Sequence, residues 1–178
     1  KPSMSRYKEN IHLCAFHSDL EGKDDMAIPQ TQDLFAMFDG LAYPSFVTDM
    51  REAGILTADG ISLFQPSIMA SFGDHTAHCG VSVSSIMNGS QAEISVKVQS
   101  ELTSQYRVIV LVVQDAVKGW QKTNLYPEGY DNYIHKHVVR QVVTQYAGTF
   151  AGEKITEDGK IAAGDEAVKS WTIPVDKR

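Results

Sequence analysis

Three groups of residues have side chains and spacings that could do chemistry. Asp74-His75-Thr76-Ala77-His78-Cys79 brings two imidazoles and a thiol close together. His75, His78 and Cys79 converging on one point would offer the nitrogen and sulfur ligands that zinc prefers. A loop entering a strand, with the imidazoles in water and Cys79 buried, accounts for the same run. His135 and His137 stand two apart in a strand-like stretch, so both should point to one face. That face suits a metal or an acidic partner, and equally two half-exposed imidazoles beside Tyr133. Trp120, Tyr126, Tyr130 and Tyr133 crowd one segment together with Pro127 and Gly129. Read as a loop over a rigid β scaffold, they form a binding surface; folded inward, they plug a core.

Catalytic signatures are missing from the sequence. No glycine-rich phosphate loop, nucleophile elbow or HExxH run occurs. Glu21, Asp24 and Asp25 are close in sequence, and a solvated polar loop explains them. His12 and His17 flank a short apolar run, with Asp19 and Asp24 nearby. A regular strand would turn those two imidazoles to opposite faces, so no shared site is expected. Asn88-Gly89-Ser90 matches a glycosylation sequon, but a hairpin turn explains it without modification. The chain therefore reads as non-enzymatic and without a cofactor.

At 178 residues the chain can form one large domain or two small ones, each with a packed core. A net charge of −6 with no basic run excludes nucleic acid as a partner, because a binder must neutralise phosphates with clustered Lys and Arg. Cys14 and Cys79 form no CxxC and lie in apolar or strand-like surroundings, so two buried thiols are expected rather than a disulfide. The longest apolar run, Val108 to Val113, is a strand length, well short of the roughly 18 residues of a membrane helix. No signal peptide is visible, and the opening at Lys1 without a Met is that of a mature or truncated chain.

The elements that must hold these residues read as mixed α and β at first. A buried strand is expected at Ile11 to Phe16. A short helix is expected after Pro29 and Thr31, with Leu34, Phe35, Phe38 and Leu41 on its apolar face and Gly40 as its stop. Tyr43-Pro44-Ser45-Phe46-Val47 is a turn into another strand, and Asp49 to Gly60 a linker. A second helix is expected from Gln65 to Phe72, with Pro66 in its first turn. From about Gly80 to Tyr146 the period becomes two. Val81 and Val83 alternate with serines, Asn88-Gly89 signals a hairpin, and Ala92, Ile94, Val96 and Val98 alternate with polar residues. Further strands are expected at Tyr106 to Val113, Ile134 to Thr144 and Val168 to Val175, with a glycine-rich hairpin between Gly148 and Gly164. The pattern predicts an antiparallel β-sandwich of immunoglobulin type, with about five strands against the usual seven.

Asn10 to His17, Tyr43-Pro44-Ser45-Phe46, Trp120-Gln121 and Tyr133 to Arg140 together resemble the Bacteroidetes outer-membrane lipoproteins of about twenty-eight kilodaltons. These join a thioredoxin-like region to an immunoglobulin-like domain, and the resemblance spans residues 9 to 148. It implies an α+β chain: a partial thioredoxin-like α/β segment over residues 1–60, then an antiparallel immunoglobulin-like β-sandwich over residues 61–178, short of its last strand. The thioredoxin turn would make Tyr43-Pro44 a cis-proline peptide. The implied location is the outer membrane, with the soluble part periplasmic or surface-exposed and membrane attachment only through a lipid anchor outside this fragment. The implied role is binding or adhesion, with a protein or glycan ligand and the Trp120 to Tyr133 segment with His135 and His137 as its surface. The alternative is a remnant of a thioredoxin-like oxidoreductase whose CxxC lies upstream.

Overall fold

The computed structural model describes residues 11–19, 22–39, 42–55, 61–74, 76–123, 125–144 and 151–175. Among them lie two helices and thirteen strands, and every strand pairing is antiparallel. In chain order these are α1 (Gln30–Met37), β1 (Ser45–Thr48), β2 (Glu52–Ile55), α2 (Ile61–Asp74), β3 (Cys79–Asn88) and β4 (Gln91–Ser100). Then come β5 (Ser104–Gln105), β6 (Arg107–Val108), β7 (Leu111–Gln114), β8 (Val117–Thr123) and β9 (Tyr126–His135). The last are β10 (Val138–Val142), β11 (Glu153–Lys154), β12 (Lys160–Ile161) and β13 (Glu166–Pro174). The chain divides into two compact units: Lys1–Gln32 with Leu111–Val142, and Asp33–Val110 with Val143–Arg178.

The second unit is organised by β4. This strand pairs with β3 on one side and β13 on the other along its whole length, without a register shift. Its alternating sequence is matched by alternating burial: Ala92, Ile94, Val96 and Val98 are dry, while Glu93, Lys97 and Gln99 are wet. A fully buried aliphatic side chain of this kind contributes about 1.5–3 kcal/mol. β13 turns Trp171 and Ile173 to the same face, opposite Ile94 and Ala92, and ends at Pro174. The hairpin between β3 and β4 turns on Gly89-Ser90, one residue later than the Asn88-Gly89 pair expected. Gly89 has φ 63°, and a glycine at the first of two turn residues belongs to the tight turn whose twist suits a hairpin.

Several elements differ from their sequence expectation. Residues 49–60 were expected as a linker, but Glu52–Ile55 pairs with β1 as β2, after a turn in which Asp49 and Met50 take positive φ. α2 begins at Ile61, so Pro66 lies inside the helix rather than in its first turn. Packing keeps α2 helical across the missing N–H: Phe64 meets Phe46 of β1 edge to face at 5.0 Å, and Ser67 Oγ donates to Thr48 Oγ1 at 2.8 Å. The helix stop at α1 is made by Asp39 at φ 48°; Gly40 and Leu41 lie outside the described residues. The Tyr43–Pro44 peptide is cis, and Tyr43 stacks on Phe35 at 4.4 Å.

Tyr106 to Val113, read as one strand, is two short ones. β6 pairs with β11, β7 with β10, and the two residues between them belong to neither. The glycine-rich segment does not pair with itself either: β11 goes to β6 and β12 to β5. It is tied down, since Arg107 donates from Nε to Ala151 O at 2.8 Å and from Nη2 to Gly152 O at 3.0 Å. In the first unit, Ile11 to Phe16 is not a strand. Only Ala15 pairs, in a single parallel bridge to Val138, with Ala15 N donating to His137 O at 2.6 Å and Val139 N to Ala15 O at 2.9 Å. The cysteines are both free, but Cys14 is exposed and Cys79 half-buried, so neither is the buried thiol expected.

Because β4 presents one dry face, Ile94→Ala should lower the unfolding free energy by about 2–5 kcal/mol, with Gln99→Ala within roughly 0.5 kcal/mol of wild type. Urea denaturation followed by circular dichroism reads both. Equal losses would mean that β4 has no dry face.

Candidate functional site

The aromatic segment is a β-hairpin, not a loop. β8 and β9 pair from Val117↔His135 to Thr123↔Tyr126, so their aromatic and β-branched residues sit in strands, where such side chains pack well. At the tip, Thr123 Oγ1 accepts from Leu125 N and Tyr126 N, both at 3.2 Å. β9 is longer than the part of β8 it faces, and the surplus is taken up in register shifts between Gly119 and Gln121 and between Gln121 and Thr123. This is how the hairpin tolerates Pro127 and Gly129, since bulges free residues from the ladder.

Gly129 is what seats the tryptophan. Its φ of 92° is disfavoured for any residue with a side chain, and a Cβ there would fall 2.1 Å from Trp120 Nε1. The indole therefore occupies the space of the missing side chain. Lys23 Nζ lies 5.4 Å from the Trp120 ring centre, within cation–π range. Tyr126 and Tyr130 stack at 4.8 Å with planes 20° apart. Leu125 is 85% exposed, and Tyr126, Tyr130, Tyr133 and Ile134 are also exposed. The aromatic group is thus divided: Trp120 is half-buried against Gly129, and the tyrosines face water.

At the other end of the hairpin, His135 is buried. Met26 and Gly119 close over it; a Cβ on Gly119 would come within 2.7 Å of Met26 Cε and 3.6 Å of His135 Nε2. The His17 ring meets it edge-on at 4.8 Å, and the Tyr133 ring lies at 4.9 Å. His17 is held by Asp24, whose Oδ2 is 2.7 Å from His17 Nδ1 and whose Oδ1 accepts from Met26 N at 2.9 Å. Asp19 Oδ1 in turn accepts from Lys23 N and Asp24 N. Thr31 Oγ1 donates to His17 O at 2.7 Å. Among the described residues, His135 Nε2 has no hydrogen-bond partner. Burial pushes the His135 pKa down and the neighbouring His17 adds to this; Asp24 and the carbonyls of Trp120 and Gly119 oppose it in part. The group is accordingly a neutral imidazole, buried beside the His17–Asp24 pair.

His137 does not share this face. The strand ends at His135, and His137 sits in the connection to β10 at φ 58°, with its N–H donating to Asp115 Oδ1 at 2.7 Å and its Nδ1 3.3 Å from the same oxygen. The stretch expected as one strand from Ile134 to Thr144 is broken there. His75 lies outside the described residues; His78 is exposed with Nδ1 3.1 Å from Glu101 Oε2, and Cys79 opens β3. Among the described residues no three His, Cys, Asp or Glu side chains are grouped to hold a metal. The sequence reading missed the meeting of His17 and Asp24 with His135. The strand parity that separated His12 from His17 carried no information about a histidine more than a hundred residues away.

The fold is β-rich and built of antiparallel pairings with two short helices, and its distinctive surface is an aromatic hairpin seated on a buried histidine. No helix among the described residues is long and apolar enough to cross a membrane. The chain belongs to the family of outer membrane protein Omp28, whose model matches residues 38–178, and its location is the outer membrane. The matched stretch includes the whole hairpin and His135 but begins after His17 and Asp24. No curated protein and no solved structure matches the chain.

Gly129→Ala should displace the indole, destabilise the protein by about 1–3 kcal/mol and shift tryptophan emission. Gly73→Ala, where a Cβ meets nothing within 4 Å, should do neither. Emission unchanged in both would mean that Trp120 does not depend on Gly129.

A second expectation concerns acid. The folded chain holds His135 below the ordinary histidine value of 6.5, so just under that pH the unfolded chain binds more protons. This part of the stability is therefore complete above about pH 6.5 and is lost as the pH falls toward the folded value. His135→Leu should lose less stability than wild type between about pH 7.5 and 5.5 in urea titrations. Identical losses would rule out His135 as the source.

Proposed function

We propose that this chain is the soluble, non-catalytic part of an exported outer-membrane lipoprotein, periplasmic or surface-exposed, and that it works as a binding or adhesion module. In this reading the chain joins a partial thioredoxin-like segment to an immunoglobulin-like sandwich and attaches to the membrane through a lipid anchor. The observation that carries the binding role is the exposure of Leu125, Tyr126, Tyr130, Tyr133 and Ile134 on one hairpin. Rigid tyrosines supply a large contact area at small entropic cost, and their hydroxyls add directional bonds. Membership of an outer membrane protein family supports a setting in which such a surface meets protein or glycan ligands. The stacking of Tyr126 on Tyr130 supports the same reading, because it presents the two rings already ordered.

Glycan arrays and pull-downs from outer-membrane extracts supply candidate ligands, and titration with a purified one supplies the test. Tyr126→Ser with Tyr130→Ser should weaken binding by at least about tenfold, the loss expected of more than 1.4 kcal/mol of contact. Lys160→Ser, on β12 rather than on the hairpin, should change it little. Equal affinity of the double variant and wild type would remove the hairpin from the binding surface.

A further inference from the structure

β3 is the edge of its sheet, and among the described residues nothing pairs with its outer side. Edge strands ordinarily carry a device against further pairing: a charge, a proline, a bulge or short length. β13, the opposite edge, has Glu166, Lys169 and Pro174. β3 has none of these. It runs ten residues from Cys79 to Asn88 without a charged residue or proline, and in unbroken register with β4. It is also exposed and apolar, with Val81 61%, Val83 65%, Ile86 64% and Met87 53% accessible. Val81, Val83 and Met87 lie opposite Val98, Val96 and Ala92, so they belong to the sheet face that β4 buries, yet they are themselves uncovered.

We propose that β3 pairs antiparallel with β3 of a second copy of this chain, about a two-fold axis through Ser84, joining two three-stranded sheets into one of six strands. The sequence of β3 fits itself in this register. Ser84 meets Ser84, Val83 meets Ser85, Val81 meets Met87, Ser82 meets Ile86 and Gly80 meets Asn88. Every pair joins residues of one face, so the dry face continues across the junction. Symmetric pairing sets each charge of a strand against a partner fixed by its own sequence, and a neutral strand escapes any like-charge pair. The adjoining rows are complementary as well. Ser82 lies beside Lys97 and Ile86 beside Glu93, so each row that crosses the axis has Lys97 of one copy at one end and Glu93 of the other at the opposite end. At three strand spacings, about 14 Å, this attraction is screened and sets orientation more than strength. The serine row Ser170, Ser95, Ser84 runs straight to the axis, and its first pair is already bonded Oγ to Oγ at 2.9 Å. Partner strands from other proteins would have to match this unbroken neutral pattern, whereas a second copy does so by symmetry.

Sedimentation velocity on the 178-residue chain should show a monomer–dimer equilibrium. Ser84→Lys opposes two charges at the axis and should weaken association by at least about tenfold, with the far-ultraviolet spectrum unchanged. A second measurement does not depend on a disruptive variant. In a Cys14→Ser, Cys79→Ser background, Ser84→Cys should form a disulfide-linked dimer quickly, because opposite residues lie about 4.5–5.5 Å apart. Ile86→Cys, offset from its own copy by four residues or about 13 Å, should link at least tenfold more slowly. A chain that stays monomeric at every concentration, association indifferent to Ser84→Lys, or equal cross-linking at both positions would each overturn the proposal. None of these results bears on the aromatic hairpin.

Discussion

β4 is hydrogen-bonded on both sides along its whole length, and every second side chain on it is dry. A slip of one residue against either neighbour would turn Ala92, Ile94, Val96 and Val98 to water and bring Glu93 and Lys97 inside. The hydrophobic loss and the burial of two charges act together, so the register is held far more strongly than any single hydrogen bond could hold it. The β3 hairpin, the long β13 pairing and the placement of Trp171 and Ile173 all follow from that one strand. The short pairings of β5 with β12 and β6 with β11 have no comparable pattern of their own and depend on side-chain ties such as Arg107 to the carbonyls of Ala151 and Gly152.

The first unit works under a different constraint. Its strands are bulged, and order comes from side chains fitted into gaps: the Trp120 indole over Gly129, and Met26 against Gly119. Two glycines thus act as sockets, one for an indole and one for a thioether. His135 closes the packing at the foot of the hairpin, where a neutral imidazole fills space as an apolar group would but leaves Nε2 without a partner among the described residues. The His17–Asp24 pair lies beside it, and Asp19 accepts from the backbone N–H of Lys23 and Asp24. The result is a rigid base beneath a tip whose tyrosines remain in water.

Within an outer membrane protein family, the two exposed apolar features have different characters. The tyrosines of β9 combine rings with hydroxyls and stand beside charged neighbours such as Glu128 and Asp131, a surface fitted to reversible contact in water. β3 offers aliphatic side chains, no charge and an edge unpaired among the described residues, a surface fitted to another strand. Their chemistry separates ligand contact from self-association.

The sequence by itself determined what local pattern can carry. β4, the β3–β4 hairpin, α1 and the last strand from Val168 were legible because a period of two or of three to four needs only neighbours a few residues away. Tertiary structure decided the rest. It broke the apolar run Tyr106 to Val113 in two, since different partners claimed its halves, and it turned the aromatic segment into a hairpin whose bulges no alternation announces. It also placed His135 inside and His137 outside, although they stand two apart, because the strand ended between them. The meeting of His17 and Asp24 with His135, and the place of β3 at the end of the order β13-β4-β3, are facts about which segments find partners. That choice is made by packing free energy summed over distant segments, and no local pattern encodes it.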